Sequence, residues 1–150
     1  PIKYRDVPAE QLVIKECVNE IKKVIADDDH VVLIGSSLGG CLVSQLVLDD
    51  AKKIDKIFLI NPALIPPDVD ISSIPDMPKH ILQDMKDDRL FSQKLDTSIV
   101  IFSANQDVVV PPEWVVRFSK FQEATVCFLD DDHRLSKNLE KLPDLIRSFL

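Results

Sequence analysis

The sequence predicts an α/β fold class, in which a doubly wound, mostly parallel sheet is the middle of three layers. Four short apolar runs rich in β-branched residues alternate with segments of helical periodicity, which is the pattern of strand–helix units in a parallel sheet. The chain has 150 residues, a length that fits one domain at about 100–200 residues per domain. We therefore expect residues 1–150 to form a single domain.

The first half of the chain contains two helical segments and two strand-like runs. Apolar residues recur at helical spacing over residues 7–27 and again over residues 38–49. Residues 30–35 and 56–60 are apolar runs that predict buried strands, the first covered on both faces. One apolar stripe is expected along the first helix, formed by Ile14, Val18, Ile21 and Ile25.

Residues 62–97 interrupt this alternation. Five of the ten prolines fall in this segment, so a strand or a long helix does not run through its first part. An insertion of this length between strand–helix units is usually a lid or a binding loop, and we expect one here, with a short amphipathic helix after Pro78. A surface excursion that packs on the sheet is the alternative.

Strand and helix then alternate again. Residues 98–103 and 124–129 are apolar runs that predict the third and fourth strands. A helix that opens at Pro111-Pro112 separates them, and a last helix carries apolar residues from 142 to 149. Four parallel strands are therefore expected.

Composition argues against several classes of partner. The chain has 18 basic and 25 acidic residues, a net charge of −7 and no basic cluster, which argues against nucleic acid and anionic membranes. No apolar run approaches the roughly 18 residues of a membrane-spanning helix, and no secretory signal opens the sequence. The three cysteines lack metal-ligand spacing and are expected to be reduced core thiols. We therefore expect a cytoplasmic protein.

All three glycines lie in one hexapeptide, residues 35–40, whereas an average composition predicts about ten glycines in a chain of this length. Gly35-Ser36-Ser37-Leu38-Gly39 matches the pattern G-x-S-x-G between a predicted strand and a predicted helix. In this context the serine occupies a sharp, strained turn, and the flanking glycines let strand and helix approach. The N–H of the next residue faces a developing oxyanion. Ser37 is thus a candidate nucleophile, Leu38 a candidate oxyanion donor, and Gly35 and Gly39 candidate turn glycines.

Two other interpretations of the glycine segment stay open. A phosphate cradle is one, although the segment lacks the lysine of a P-loop and the paired glycines of a dinucleotide fingerprint. A tight turn without chemistry is the other. The position between a buried strand and a helix favours the nucleophile.

A serine nucleophile needs a general base that a carboxylate orients. Parallel strands bring their carboxyl ends to one edge of a sheet, where Asp107 follows the third strand and His133 the fourth. His30 precedes its strand and belongs to the opposite edge, while His80 falls in the insertion. We therefore expect His133 to be the base and Asp107 the acid. Three aspartates closer to the histidine in sequence stay open as alternative acids: Asp130, Asp131 and Asp132.

The chain resembles the α/β-hydrolase superfamily, and looks most like its short bacterial esterase-type members. The similar segments are Gly35–Gly40, Ile60–Ala63, Asn105–Pro111 and Asp132-His133. The resemblance implies an α/β-hydrolase-like fold with a reduced strand number. It also implies a serine hydrolase without cofactor or metal, with Ser37 as nucleophile, Asp107 as acid and His133 as base.

The resemblance departs at the N-terminus. There the family places a strand ending in His-Gly, which covers the first strand and supplies the second oxyanion N–H, and this chain has no such motif. A bare apolar edge along residues 31–35 is seldom tolerated. We therefore expect residues 2–6 or a second copy of the chain to pair with that edge, the latter giving a homodimer.

These observations together predict a serine hydrolase of the carboxylesterase type that acts on small-molecule esters or thioesters through an acyl-enzyme. Its apolar substrate pocket is expected in the 62–97 insertion, at Ile65, Ile74 and Met85. A non-catalytic binding protein with the same fold and an incomplete oxyanion hole is the alternative from another class.

Overall fold

The computed structural model describes residues 1–50 and 53–150, whose four strands form one sheet. All neighbouring strands are parallel, and their order across the sheet is the order of the chain. The strands are β1 (Val31–Ser36), β2 (Ile54–Ile60), β3 (Ser98–Ala104) and β4 (Thr125–Leu129). The α-helices are α1 (Ile14–Val24), α2 (Leu38–Asp49), α3 (Lys79–Met85), α4 (Pro112–Gln122) and α5 (Leu142–Arg147). All four predicted strands are therefore confirmed.

Helices cover both faces of the sheet. Because side chains alternate along a strand, Ile57 and Leu59 of β2 face one side, whereas Phe58 and Ile60 face the other. The first pair packs in a large core cluster together with residues of α1, α2, α3 and α4. The second pair packs in a smaller cluster with β3 and with Leu142 of α5. This arrangement confirms the three-layer α/β prediction.

The stripe predicted along the first helix is also present. Ile14, Val18, Ile21 and Ile25 are all buried and belong to the large core cluster. The helix itself is shorter than the predicted range, because a separate 3-10 turn occupies Ala9–Gln11 ahead of it. The apolar stripe therefore predicts the position of the first helix more closely than the full range of residues 7–27 does.

β1 departs from the prediction of a strand buried on both faces. Val32 and Ile34 are 45% and 55% exposed, while their neighbours Val31 and Leu33 are buried. The physical reason is that the smaller core cluster is built from β2, β3 and the C-terminal residues and contains no β1 residue. One face of β1 therefore stays uncovered by the described part of the chain.

The outer edge of β1 is also unpaired within the described residues, since β1 neighbours β2 alone. The expectation that residues 2–6 pair with this edge is wrong, because they form no strand. Ile2 and Tyr4 pack against the large core cluster instead. Pairing with a second copy of the chain stays a prediction.

Residues 62–97 pack largely in the large core cluster, on the face of the sheet that α1, α2 and α4 cover. The predicted helix after Pro78 is present as α3. Side-chain amides of the neighbouring helices hold the segment: Gln45 of α2 donates to the Asp84 carbonyl at 3.0 Å, and Gln122 of α4 donates to the Leu90 carbonyl at 2.8 Å. These bonds join the segment to α2 and α4.

The residues expected to line a substrate pocket lie in or beside the core. Ile65 and Met85 are buried in the large cluster, and Ile74 packs against it from a half-buried position. Their share in a pocket, like the role of residues 62–97 as a lid, stays a prediction.

Candidate active site

Ser37 is the only residue between β1 and α2, and its backbone is strained. Its φ of 51° and ψ of −116° lie in a region that side-chain-bearing residues rarely adopt, at a cost on the order of 1–3 kcal/mol. The carboxyl end of β2 holds this turn, because the Ser37 N–H donates to the Ile60 carbonyl at 2.9 Å and the Ala63 N–H donates to the Ser37 carbonyl at 3.0 Å. The predicted sharp turn is thus present and rigidly held.

Two of the three glycines are required by close backbone contacts. A Cβ on Gly35 would lie 2.5 Å from the Gly39 carbonyl oxygen, and a Cβ on Gly40 would lie 2.7 Å from the Pro62 Cβ. A Cβ on Gly39 would meet nothing within 4 Å. The close approach expected at Gly39 therefore occurs at Gly40, because the neighbour that crowds the helix is the residue after β2.

The N-terminus of α2 offers donors beside Ser37. α2 begins at Leu38, and the first N–H groups of a helix have no acceptor within that helix. The positive end of the helix dipole also favours negative charge at this point. The Leu38 N–H is one of these donors, and its role toward an oxyanion stays a prediction.

Ser37, His133 and Asp107 come together at the carboxyl edge of the sheet. His133 Nε2 lies 3.0 Å from Ser37 Oγ, and His133 Nδ1 lies 2.7 Å from Asp107 Oδ2. With its proton on Nδ1, the imidazole donates to the carboxylate and accepts from the hydroxyl. The Asp107 side chain is 2% exposed and that of His133 is 19% exposed. The carboxylate is therefore shielded from water, whereas part of the imidazole is reached by solvent.

The backbone orients the Asp107 carboxylate. Its Oδ1 accepts from the N–H groups of Val109 and Val110, each at 2.8 Å. The other oxygen is therefore left to face the imidazole. This turn also displays the exposed apolar side chains of Val108 and Val109 next to the site.

Asp131 holds the loop that carries His133. Its fully buried carboxylate accepts from the backbone N–H groups of Asp132, Lys137 and Asn138 and from the Asn138 side-chain amide. Burial raises the pKa of this carboxyl, but the hydrogen bonds from Asn138, Lys137 and Asp132 outweigh burial and hold the pKa below its usual range. Asp131 thus acts as a structural anchor of the loop.

The alternative acids near the histidine have other partners. Asp130 accepts from the Gln106 side-chain amide at 2.7 Å, and Asp132 accepts from the Ser136 hydroxyl at 2.7 Å. Together with the Asp131 contacts, these bonds leave Asp107 as the carboxylate against the imidazole.

The other two histidines lie away from this contact. His30 is exposed ahead of β1 and pairs with Asp55 at 3.0 Å. His80 is exposed on α3. His30 thus lies at the amino end of β1, opposite to the end that leads to Ser37, and His80 lies within residues 62–97.

Cys41, one turn after the serine on α2, is a core residue. It is buried, its thiol faces the Met85 carbonyl at 3.6 Å, and burial raises its pKa to about 12. Such a thiol is inert as a nucleophile. All three cysteines are free.

Two further features concern residues 1–50 and 53–150, the part of the chain that the structure describes. These residues contain no group of three or more His, Cys, Asp or Glu side chains that could hold a metal ion. None of their helices is long and apolar enough to cross a membrane.

Asn61 is a site residue whose role the sequence alone does not reveal. It directly follows β2, and its side-chain amide donates to the His133 carbonyl at 2.9 Å. The sequence offers two signals: an asparagine before proline at the end of an apolar run, and the place of this residue in Ile60–Ala63, one of the segments that carry the resemblance.

Comparison with known proteins agrees with this architecture. A monoacylglycerol lipase from Paleococcus ferrophilus superposes with a TM-score of 0.74 at 14% identity, over 91% of this chain and 74% of the lipase. Est1E from Butyrivibrio proteoclasticus gives a TM-score of 0.71 at 20% identity, over 92% and 69% of the two chains. A meta-cleavage product hydrolase from Pseudomonas fluorescens gives 0.72 at 14% identity, over 96% and 73%.

At these identities the superpositions establish the fold. No curated protein sequence matches the chain significantly. The family model described as alpha/beta hydrolase fold matches residues 8–106, about two thirds of the chain. This chain is therefore a member of the α/β hydrolase fold family.

Proposed function

We propose that this chain is a serine hydrolase that cleaves carboxylic esters or thioesters of small molecules through an acyl-enzyme. The observation that carries the proposal is the continuous contact from Asp107 through His133 to Ser37, at 2.7 Å and 3.0 Å. Those are the distances over which a base and its orienting carboxylate activate a hydroxyl.

In the first half-reaction, Ser37 Oγ attacks the carbonyl carbon while its proton passes to His133 Nε2. The Asp107 carboxylate holds the imidazole in the Nδ1–H tautomer and stabilises the imidazolium that forms. The negative charge on the former carbonyl oxygen faces the Leu38 N–H. The proton on Nε2 then passes to the departing alcohol or thiol, which leaves an ester between the acyl group and Ser37.

In the second half-reaction, water attacks the acyl carbon and gives a proton to His133 Nε2. The tetrahedral intermediate collapses, the carboxylic acid departs, and Ser37 Oγ recovers its proton from the imidazole. Every proton that moves is accepted and returned by His133, so these steps require no cofactor.

Exposed apolar side chains next to Asp107 in the chain support an ester with an apolar part. These are Val108 and Val109, and the residues expected to line the pocket are Ile65, Ile74 and Met85. The similar structures include a monoacylglycerol lipase and Est1E, which has also been solved with ferulic acid bound. The free cysteines fit a reducing compartment, the cytoplasm.

A fluorophosphonate probe tests the proposal, because it forms a covalent bond only with an activated serine. We expect stoichiometric labelling of the native chain, no labelling of Ser37→Ala, and unchanged labelling of the control Ser36→Ala, whose side chain is exposed next to the turn. Hydrolysis of p-nitrophenyl esters of increasing chain length then identifies the acyl preference, and Ser37→Ala should lower kcat/KM by at least about a thousand-fold. A folded native chain that the probe leaves unlabelled would overturn the proposal in favour of a non-catalytic binding protein.

A further inference from the structure

We propose that Asn61 is a positioning residue, whose side-chain amide sets the place of His133 relative to the carboxyl ends of β2 and β3. Its catalytic consequence rests on the proposed function. Its structural consequence, the orientation of the imidazole, does not.

The amide of Asn61 uses both of its ends. Oδ1 accepts from the Ala104 N–H at 2.7 Å, and Nδ2 donates to the His133 carbonyl at 2.9 Å. The residue is 1% exposed, so both bonds are shielded from water and either partner would lose its hydrogen bond if the amide were removed. One buried side chain thus ties the histidine loop to the end of β3.

The local backbone explains why an amide is needed at this point. Asn61 has a φ of 42° and precedes Pro62, so β2 turns out of the sheet here. The Ala104 N–H at the end of β3 therefore meets the Asn61 side-chain oxygen, while the Asn61 N–H still donates to the Phe102 carbonyl at 3.0 Å. Asparagine tolerates this left-handed conformation better than most side chains and supplies an acceptor and a donor together.

The same short segment also holds the serine. Ile60, which precedes Asn61, accepts from the Ser37 N–H, and Ala63, which follows two residues later, donates to the Ser37 carbonyl. Residues 60–63 therefore fix both Ser37 and His133. The 3.0 Å separation between Ser37 Oγ and His133 Nε2 depends on this shared support.

Asn61→Asp is the sharpest test, because it keeps the shape and the tolerance for positive φ. It keeps the acceptor for Ala104 but removes the donor, and a carboxylate oxygen then faces the His133 carbonyl. We expect fluorophosphonate labelling and kcat for p-nitrophenyl acetate to fall about 100-fold, as for a misplacement of roughly 1 Å, with KM within about two-fold of the native value. Asn105→Asp is the matched control, since it adds the same charge at the exposed residue that follows β3, and we expect it to keep the native rate.

A second readout does not depend on activity. The ¹⁵N chemical shifts of the His133 ring report which nitrogen carries the proton, and we expect Nδ1–H in the native chain and in Asn105→Asp, with a mixture of tautomers in Asn61→Asp and Asn61→Gly. Native rates and a native tautomer in Asn61→Asp would overturn the proposal, as would an equal loss in Asn105→Asp. Failure of both Asn61 variants to fold would also overturn the proposal, because the Asn61 side chain would then be required for folding itself and not specifically for the position of His133. If the native chain is unlabelled, the proposed function fails, and the ring shifts still decide the role of Asn61.

Discussion

Alanine substitution should lower the stability of the chain at Gly35, raise it at Gly39 and have an intermediate effect at Gly40. The φ of every glycine is outside the left-handed region, so alanine is allowed by the backbone and the outcome depends on what the new methyl group meets. At Gly35 it meets the Gly39 carbonyl oxygen at 2.5 Å. Because that oxygen belongs to the backbone, α2 must move away from β1 by about 1 Å to restore normal contact. Forced repacking of this kind costs about 2 kcal/mol, which corresponds to a melting temperature about 4–8 °C lower at this chain length.

At Gly39 the methyl group would meet nothing within 4 Å, inside the first turn of α2. Replacement of a helical glycine by alanine then stabilises the chain by about 0.5 kcal/mol, and the melting temperature should rise by about 1–2 °C. Gly40→Ala should fall between the two, since its contact at 2.7 Å with the Pro62 Cβ is partly offset by the same helical gain. Thermal unfolding followed by circular dichroism measures all three. A loss of stability in Gly39→Ala equal to that in Gly35→Ala would refute the reasoning.

Two further predictions concern acid stability and assembly. Because hydrogen bonds lower the pKa of Asp131 in the folded chain, its contribution to stability is complete above its unfolded pKa of about 3.9 and is lost as the pH falls through the folded value. The melting temperature of Asp131→Asn should therefore lie below the native one at pH 7 and converge with it towards pH 3, whereas a constant difference would contradict the anchor role. If a second copy pairs along β1, sedimentation equilibrium should give twice the chain mass of 17.0 kDa, and a charge in Ile34→Lys should restore the monomer. A monomeric native chain would count against that pairing.

The site could be predicted from sequence wherever topology alone decides the answer. The order of the apolar runs locates the carboxyl ends of the strands, which favours His133 over His30 and Asp107 over the aspartates nearer the histidine. The contacts of His133 with Ser37 and Asp107 agree with that preference. The choice of these two residues depends on the order of the strands and not on how side chains pack.

Features that depend on a partner elsewhere in the chain could not be predicted. An apolar run does not reveal what covers it, so the run alone does not predict the exposed face of β1 at Val32 and Ile34. The spacing of the glycines does not reveal that Pro62 crowds Gly40 and leaves Gly39 free. Asn61 gains its importance from Ala104 and His133, which are remote in sequence.

Under the proposed function, a second copy that pairs along the edge of β1 left open by the described residues would couple assembly to turnover. Neighbouring strands lie about 4.8 Å apart, so any backbone aligned along β1 as far as Ser36 ends beside the Ser37 turn. An amide delivered there would share the oxyanion with Leu38, and a single donor of that kind changes kcat about 10²–10³-fold. Specific activity should accordingly climb with protein concentration when this edge is filled by another copy, which makes dilution itself a form of inhibition.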